Sequence, residues 1–137
     1  MPVRVMSSLR WQPLPPLSER RVYCSACSDQ RGASLLYVLG GCGEGGGASN
    51  AAMRLDVSAQ RWNALPPMHA ARAGAVAVAM EAGQVLVVGG VDHAQTPLAT
   101  VETYRPDEGK WQVTAALEQA AMGVTAIENG DSRGTAD

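Results

Sequence analysis

The sequence contains no phenylalanine. Its aromatic residues are three tryptophans and three tyrosines, 4% of the chain. Charge is sparse as well: 18% of residues are charged, the formal net charge is −2, and no run of one sign stands out. A nucleic-acid-binding domain would show a basic stripe, so that class is excluded. Cysteine is scarce and odd in number, at three. A disulfide scaffold would want an even count, and reduced thiols fit a cytoplasmic protein. The longest apolar stretch, AGAVAVAM at 73–80, is far too short to span a bilayer. The N-terminal MPVRVMSSLRW has no apolar core of a secretory signal, and no N-x-S/T sequon occurs. Glycine, by contrast, is abundant at 15, and 46% of the residues are apolar, enough for a buried core in one domain of ordinary size.

The main signal is a repeat. Tryptophans stand at 11, 62 and 111, separated by 51 and 49 residues. WQPLPPL at 11–17 matches WNALPPM at 62–68, and Arg21 and Arg72 each follow four residues after these motifs. LLYVLGG at 35–41 matches VLVVGGV at 85–91 in character, and Gly40-Gly41 and Gly89-Gly90 lie 49 apart. The order Trp, Leu-Pro-Pro, Arg, apolar run, Gly-Gly holds in both copies. A period near 50 residues falls in the range of blade-type repeats. Each unit reads as four short strands bounded by turn residues, which is antiparallel β structure. The expected strands lie near 22–29, 34–40, 52–57 and 60–64, then near 73–80, 84–89, 99–105 and 109–114. LEQAAMG at 117–123 is the best helix candidate but is too short to stand alone.

The glycine doublets, VETY at 101–104 and Trp111 seven residues after Tyr104 resemble the kelch repeat, whose units are four-stranded blades of a β-propeller. In the first unit Leu55 replaces the tyrosine. RRVYCS, ARAGA, VLVVGGVD, DEGKW and AAMGV are similar to the N-terminal blades of the kelch domain-containing 8 subgroup, which is built almost wholly of kelch repeats. The expected fold is all-β: a partial kelch propeller with two full four-stranded blades and two orphan strands. One orphan carries Trp11, and the other is MGVTAIENG at 122–130. The domains are then a leader at 1–10, repeats over 11–127 (about 11–61, 62–110 and a partial 111–127), and a divergent polar tail at 128–137. A propeller needs at least four blades, about 196 residues at this period. A 137-residue chain cannot close one alone. The reading is a truncated form of a longer protein, with exposed blade edges that invite self-association.

The physical reasons for the hallmarks stand apart from the name. Glycine tolerates a positive φ and close backbone approach, so a doublet suits a crowded strand exit. Tyr104 and Trp111 fall on neighbouring strands and can pack between blades, and Trp62 takes the corresponding place in the first unit.

Chemistry-bearing candidates are few. Cys24 and Cys27 form C-x-x-C, but residues three apart on a strand point to opposite faces, and no second pair exists, so no metal site is assigned. Residues 41–46 fit G-x-G-x-x-G, but the dinucleotide motif needs a helix next, and ASNAAMRLD reads as loop then strand. No cofactor and no catalytic residue is assigned. Asp92 and His93 are adjacent and could poise a base, yet neighbours rarely face each other. Arg21 and Arg72 allow two readings: they pair with acidic groups or carbonyls between blades, or they line the mouth and hold acidic partners. The tentative partner-binding set is Arg21, Arg72, His69, Asp92 and His93, on the loops at 41–50 and 90–98 and the turns at 65–72. The resemblance implies a non-catalytic protein-binding scaffold in the cytoplasm with a cell-division role. Three alternatives stand beside it: the substrate-recognition part of a ubiquitin-ligase adaptor, a propeller-type enzyme, and a non-functional truncated isoform.

Overall fold

The structure, a computed structural model, describes residues 11–29 and 34–121. It consists of two four-stranded antiparallel sheets, each running in chain order. The first contains β1 (Ser25–Asp29), β2 (Leu35–Leu39), β3 (Ala52–Asp56) and β4 (Arg61–Leu65). The second contains β5 (Val76–Ala79), β6 (Val85–Val88), β7 (Thr100–Arg105) and β8 (Lys110–Ala116). A single 3₁₀ turn at Glu81–Gly83 joins β5 to β6. These are the two all-β blades expected from the repeat.

The sheets meet through their first strands. Ser25 Oγ donates to the Ala75 carbonyl at 2.8 Å, and Gly74 N donates to the Tyr23 carbonyl at 2.9 Å. Strand alternation then decides which residues fill the space between blades. From the first blade come Tyr37, Leu39 and Ala52; from the second come Val85, Val87, Tyr104 and Trp111; Met68 enters from the connector. Tyr104 pairs with Trp111 across β7 and β8, with ring centroids 5.2 Å apart, and the Tyr37 ring lies 6.5 Å from Tyr104. The opposite faces are buried too: Val38 and Leu55 on the first blade, Val88 and Val101 on the second. Exposure is concentrated instead on the last strands, β4 and β8. A register shift between Val101 and Glu102 bulges the β7–β8 ladder, a device that also blunts a sheet edge.

Two first-strand boundaries differ from expectation for one reason. Tyr23 and Gly74 adopt positive φ, 57° and 66°, and interrupt the strands; only the isolated bridges Val22 to Cys42 and Ala73 to Val91 precede them. The orphan strand expected at Trp11 is corrected. Residues 11–17 form no strand, and Trp11 is fully exposed. Pro13, Pro15 and Pro16 lack the amide donors a ladder requires. The other expected orphan strand, the leader and the tail lie outside the described residues.

Candidate functional site

The site forms at the end of the blades where both glycine doublets lie. Gly40, Gly41, Gly89 and Gly90 have φ of 64°, 91°, 66° and 90°. A methyl group on Gly41 would stand 2.7 Å from the Val22 carbonyl oxygen, and one on Gly90 equally close to that of Ala73. Each doublet also receives the start of the following repeat: Gly41 N donates to the Arg72 carbonyl at 2.7 Å, and Gly90 N donates to the Ala121 carbonyl at 2.9 Å. The acceptor belongs to the backbone. Alanine at 121 therefore docks as arginine does at 72.

The same connector carries a buried polar cluster. Arg72 is 1% exposed and Glu102 is fully buried, with Nη2 and Oε2 2.9 Å apart. Arg72 also donates to the carbonyls of Gly89 and Thr100 and to Thr100 Oγ1. Glu102 accepts in addition from the backbone amides of His69 and Ala70. His69 Nε2 lies 2.9 Å from the Trp111 carbonyl, which can only accept, so this nitrogen carries the proton. The cluster clamps the connector onto the second blade. Arg72, placed by sequence among the partner-binding residues, is inaccessible; of its two sequence readings the interblade pairing describes its geometry.

Arg21 occupies the same register in the first blade, but its surroundings differ. The register that aligns Ala52 with Val101, each opposite the residue before a doublet, puts Met53 where the second blade has Glu102 and Ala51 where it has Thr100. Arg21 Nη1 is buried without a hydrogen-bond partner.

The tryptophans repeat one contact. Trp62 Nε1 donates to the Pro15 carbonyl at 2.8 Å, and Trp111 Nε1 donates to the Pro66 carbonyl at 2.7 Å. Each indole therefore grips the Leu-Pro-Pro segment ahead of its own blade.

Beyond the doublets, the loops after β2 and β6 enclose a pocket of about 200 Å³ between the two blades, together with Tyr23, Ala73 and Gly74. Cys42, Gly46 and Ala48 line it from the first loop, and Val91, Asp92, His93 and Gln95 from the second. Asp92 Oδ1 accepts from the amides of Ala94 and Thr96, both at 2.9 Å, so its carboxylate shapes the loop. The His93 ring lies directly over Gly47, where any side chain would collide with it. Of the sequence-predicted residues, Asp92 and His93 reach the pocket; Arg21, His69 and Arg72 do not line it. Gln95, which also lines it, lies on the 90–98 loop that the sequence reading chose, whereas Tyr23 escaped that reading. Tyr23 takes the register position of Gly74, and its backbone keeps the left-handed conformation that glycine favours, which only the structure shows. It is also 74% exposed.

The thiols do not gather. Cys24 is exposed, whereas burial and then the charge of Asp29 push the Cys27 thiol up to about 12. At neutral pH Cys27 is a protonated, unreactive side chain. The glycine-rich segment at 41–46 leads through a loop into β3 and not into a helix, so it lacks the helix N-terminus a pyrophosphate would need.

Short four-stranded meanders joined at their first strands, with left-handed glycine doublets and indoles holding the connectors, define a β-propeller repeat protein. The chain matches the Kelch motif over residues 20–69 and 71–117, and it belongs to the kelch-repeat family. No curated protein matches it. Kelch repeats in general are non-catalytic protein-interaction modules.

Proposed function

We propose that this chain is a scaffold that binds another protein at the pocket between its two blades. The observation that carries this reading is Tyr23. A large aromatic held at positive φ, mostly in solvent, where the sister blade has glycine, is a strained and exposed choice with no packing benefit. It stands beside the pocket, with the exposed His93 and Gln95 on the facing loop. Loops on a rigid β scaffold are where recognition is placed. The partner on this reading is a protein segment whose apolar side chain enters the pocket and stacks against Tyr23. On this reading the resemblance carried by RRVYCS, VLVVGGVD and DEGKW puts the chain beside kelch domain-containing protein 8, A or B type. A cytoplasmic location and a role in cell division come with that assignment.

The test is affinity capture with quantitative mass spectrometry, comparing the unaltered chain with Tyr23→Gly, His93→Ala and a control at the far end of the blades, Asp107→Asn. Partners lost with both pocket variants and kept by the control support the reading. A partner set unchanged by Tyr23→Gly and His93→Ala overturns it.

A further inference from the structure

The loop after β6 ends in Thr96-Pro97, the only Ser-Pro or Thr-Pro dipeptide in the 137 residues. Residues 93–97 are exposed without a break, and Thr96 does not line the pocket. The first blade supplies the comparison. Cys42 bridges to Ala48 as Val91 bridges to Pro97, so Gly47-Ala48 stands where the second blade has Thr96-Pro97. Ser49 N donates to the Gly41 carbonyl at 2.8 Å, and Leu98 N to that of Gly90 at 2.7 Å. Both loops therefore close alike, and closure needs neither the hydroxyl nor the proline. The other described threonines have their hydroxyls engaged: Thr100 Oγ1 accepts from Arg72, and those of Thr103 and Thr114 lie 2.9 Å apart. The Thr96 hydroxyl has no hydrogen-bond partner among the described residues. Its backbone, by contrast, is held by one residue. Asp92 Oδ1 accepts from Thr96 N at 2.9 Å, and Asp92 N donates to the Thr96 carbonyl at 3.0 Å.

We infer that Thr96 is a phosphorylation site for a proline-directed Ser/Thr kinase, and that its modification opens the loop. Proline biases the residue before it toward extended backbone and has no N–H of its own. An exposed hydroxyl on an extended residue, followed by a ring in place of a donor, is the acceptor such a kinase selects. In the reaction the γ-phosphoryl group of ATP passes to Thr96 Oγ1. The bond from the γ-phosphorus to the β,γ-bridging oxygen breaks, a P–Oγ1 bond forms, ADP leaves, and the hydroxyl proton passes to the kinase's catalytic carboxylate. Phosphothreonine carries a charge of about −1.5 to −2 at neutral pH. It would stand on the residue whose amide the Asp92 carboxylate holds, so like charges meet at a charge-assisted hydrogen bond. Asp92 then releases the turn, and the pocket residues His93 and Gln95 move with it. The consequence for a bound partner rests on the pocket being the binding site; the modification and the opening of the turn do not.

The test incubates the folded 137-residue chain with ATP and purified mitogen-activated and cyclin-dependent kinases, and reads incorporation by intact mass and peptide mapping. One phosphoryl group is expected, on Thr96. Thr96→Ala and Pro97→Ala each abolish it, and Thr96→Ser keeps it. A synthetic peptide of residues 90–100, with and without Pro97→Ala, gives the same contrast independently of how the variants fold. In the phosphorylated chain, amide hydrogen exchange at Thr96 and Ala94 rises by about tenfold or more, the loss of one charge-assisted hydrogen bond. The rise is smaller in Asp92→Asn, which removes the like charge. No incorporation into the folded chain by any of these kinases, incorporation indifferent to Pro97→Ala, or exchange unchanged by the phosphate each overturns the inference. Faster exchange with partner capture unchanged supports the modification site and overturns the pocket reading instead.

Discussion

The two blades share a strand plan and differ in how they hold their connectors. In the second, Arg72 enters the interior and finds Glu102, the Thr100 hydroxyl and two carbonyls. In the first, Arg21 stands at the same register with Met53 and Ala51 in place of those side-chain partners, and its Nη1 is buried and unpaired. The blades also differ in the residue at the left-handed position after each arginine, Tyr23 in one and Gly74 in the other. The second blade satisfies its connector arginine, although the Nε of Arg105 on β7 is buried without a partner. The first keeps an unmet donor and a strained aromatic, both of which reduce stability. A repeat thus supplies its own control: where one copy departs from the other against its own stability, the departure marks a place to look for function.

Breaking the second blade's cluster is expected to have the largest effect. Glu102→Ala leaves Arg72 charged and buried without its counter-charge, though still bonded to Thr100 and the Gly89 carbonyl, and should cost about 3–5 kcal/mol in urea denaturation. A loss below about 1 kcal/mol would show that water reaches the arginine. Trp111→Ala removes a buried indole and its bond to Pro66, with a comparable expected loss of about 3–5 kcal/mol; the half-buried Trp62 should lose clearly less on the same substitution.

Two variants sharpen the comparison by making the first blade more like the second. Met53→Glu offers Arg21 the carboxylate it lacks and should raise the melting temperature, with a coupling of about 1 kcal/mol against Arg21→Ala in a double-mutant cycle. Zero coupling would mean that the two side chains do not meet. Tyr23→Gly relieves the left-handed strain and should stabilise by about 1 kcal/mol, while weakening partner capture.

The effect that is smallest at neutral pH, and grows only in alkali, concerns a thiol. The Cys27 thiol titrates near 9.0 when unperturbed and is raised to about 12 by folding. A raised folded-state value means that the protonated form stabilises the fold below pH 9, and that this stabilisation is lost as pH rises from about 9 toward 12. Cys27→Ala should flatten that part of the stability profile. Alkylation at pH 8 should modify the exposed Cys24 and spare Cys27.

Much of the architecture was legible because strands bounded by glycine and proline leave a strong local pattern. The doublets, the strand runs and the tryptophan spacing identified two blades, and the observed strands lie within a few residues of the expected ones. Trp11 was misplaced because its spacing matched a strand position while three nearby prolines removed the donors a strand needs. The pocket was legible in part. The loops were identifiable as connections beyond the doublets, and Asp92 and His93 stood out by residue type. Tyr23 did not, because its significance lies in a backbone angle.

By itself the sequence determined the repeat, the strand content and the turn positions, since these rest on local preferences that each copy states independently. Tertiary structure alone decided what became of equivalent residues. It buried Arg72 against Glu102 and left the Nη1 of Arg21 without a partner, and it turned two distant loops toward each other so that His93 covers Gly47. Burial and pairing belong to the contacts a residue makes across the gap between sheets, and those contacts exist only once the two blades have packed.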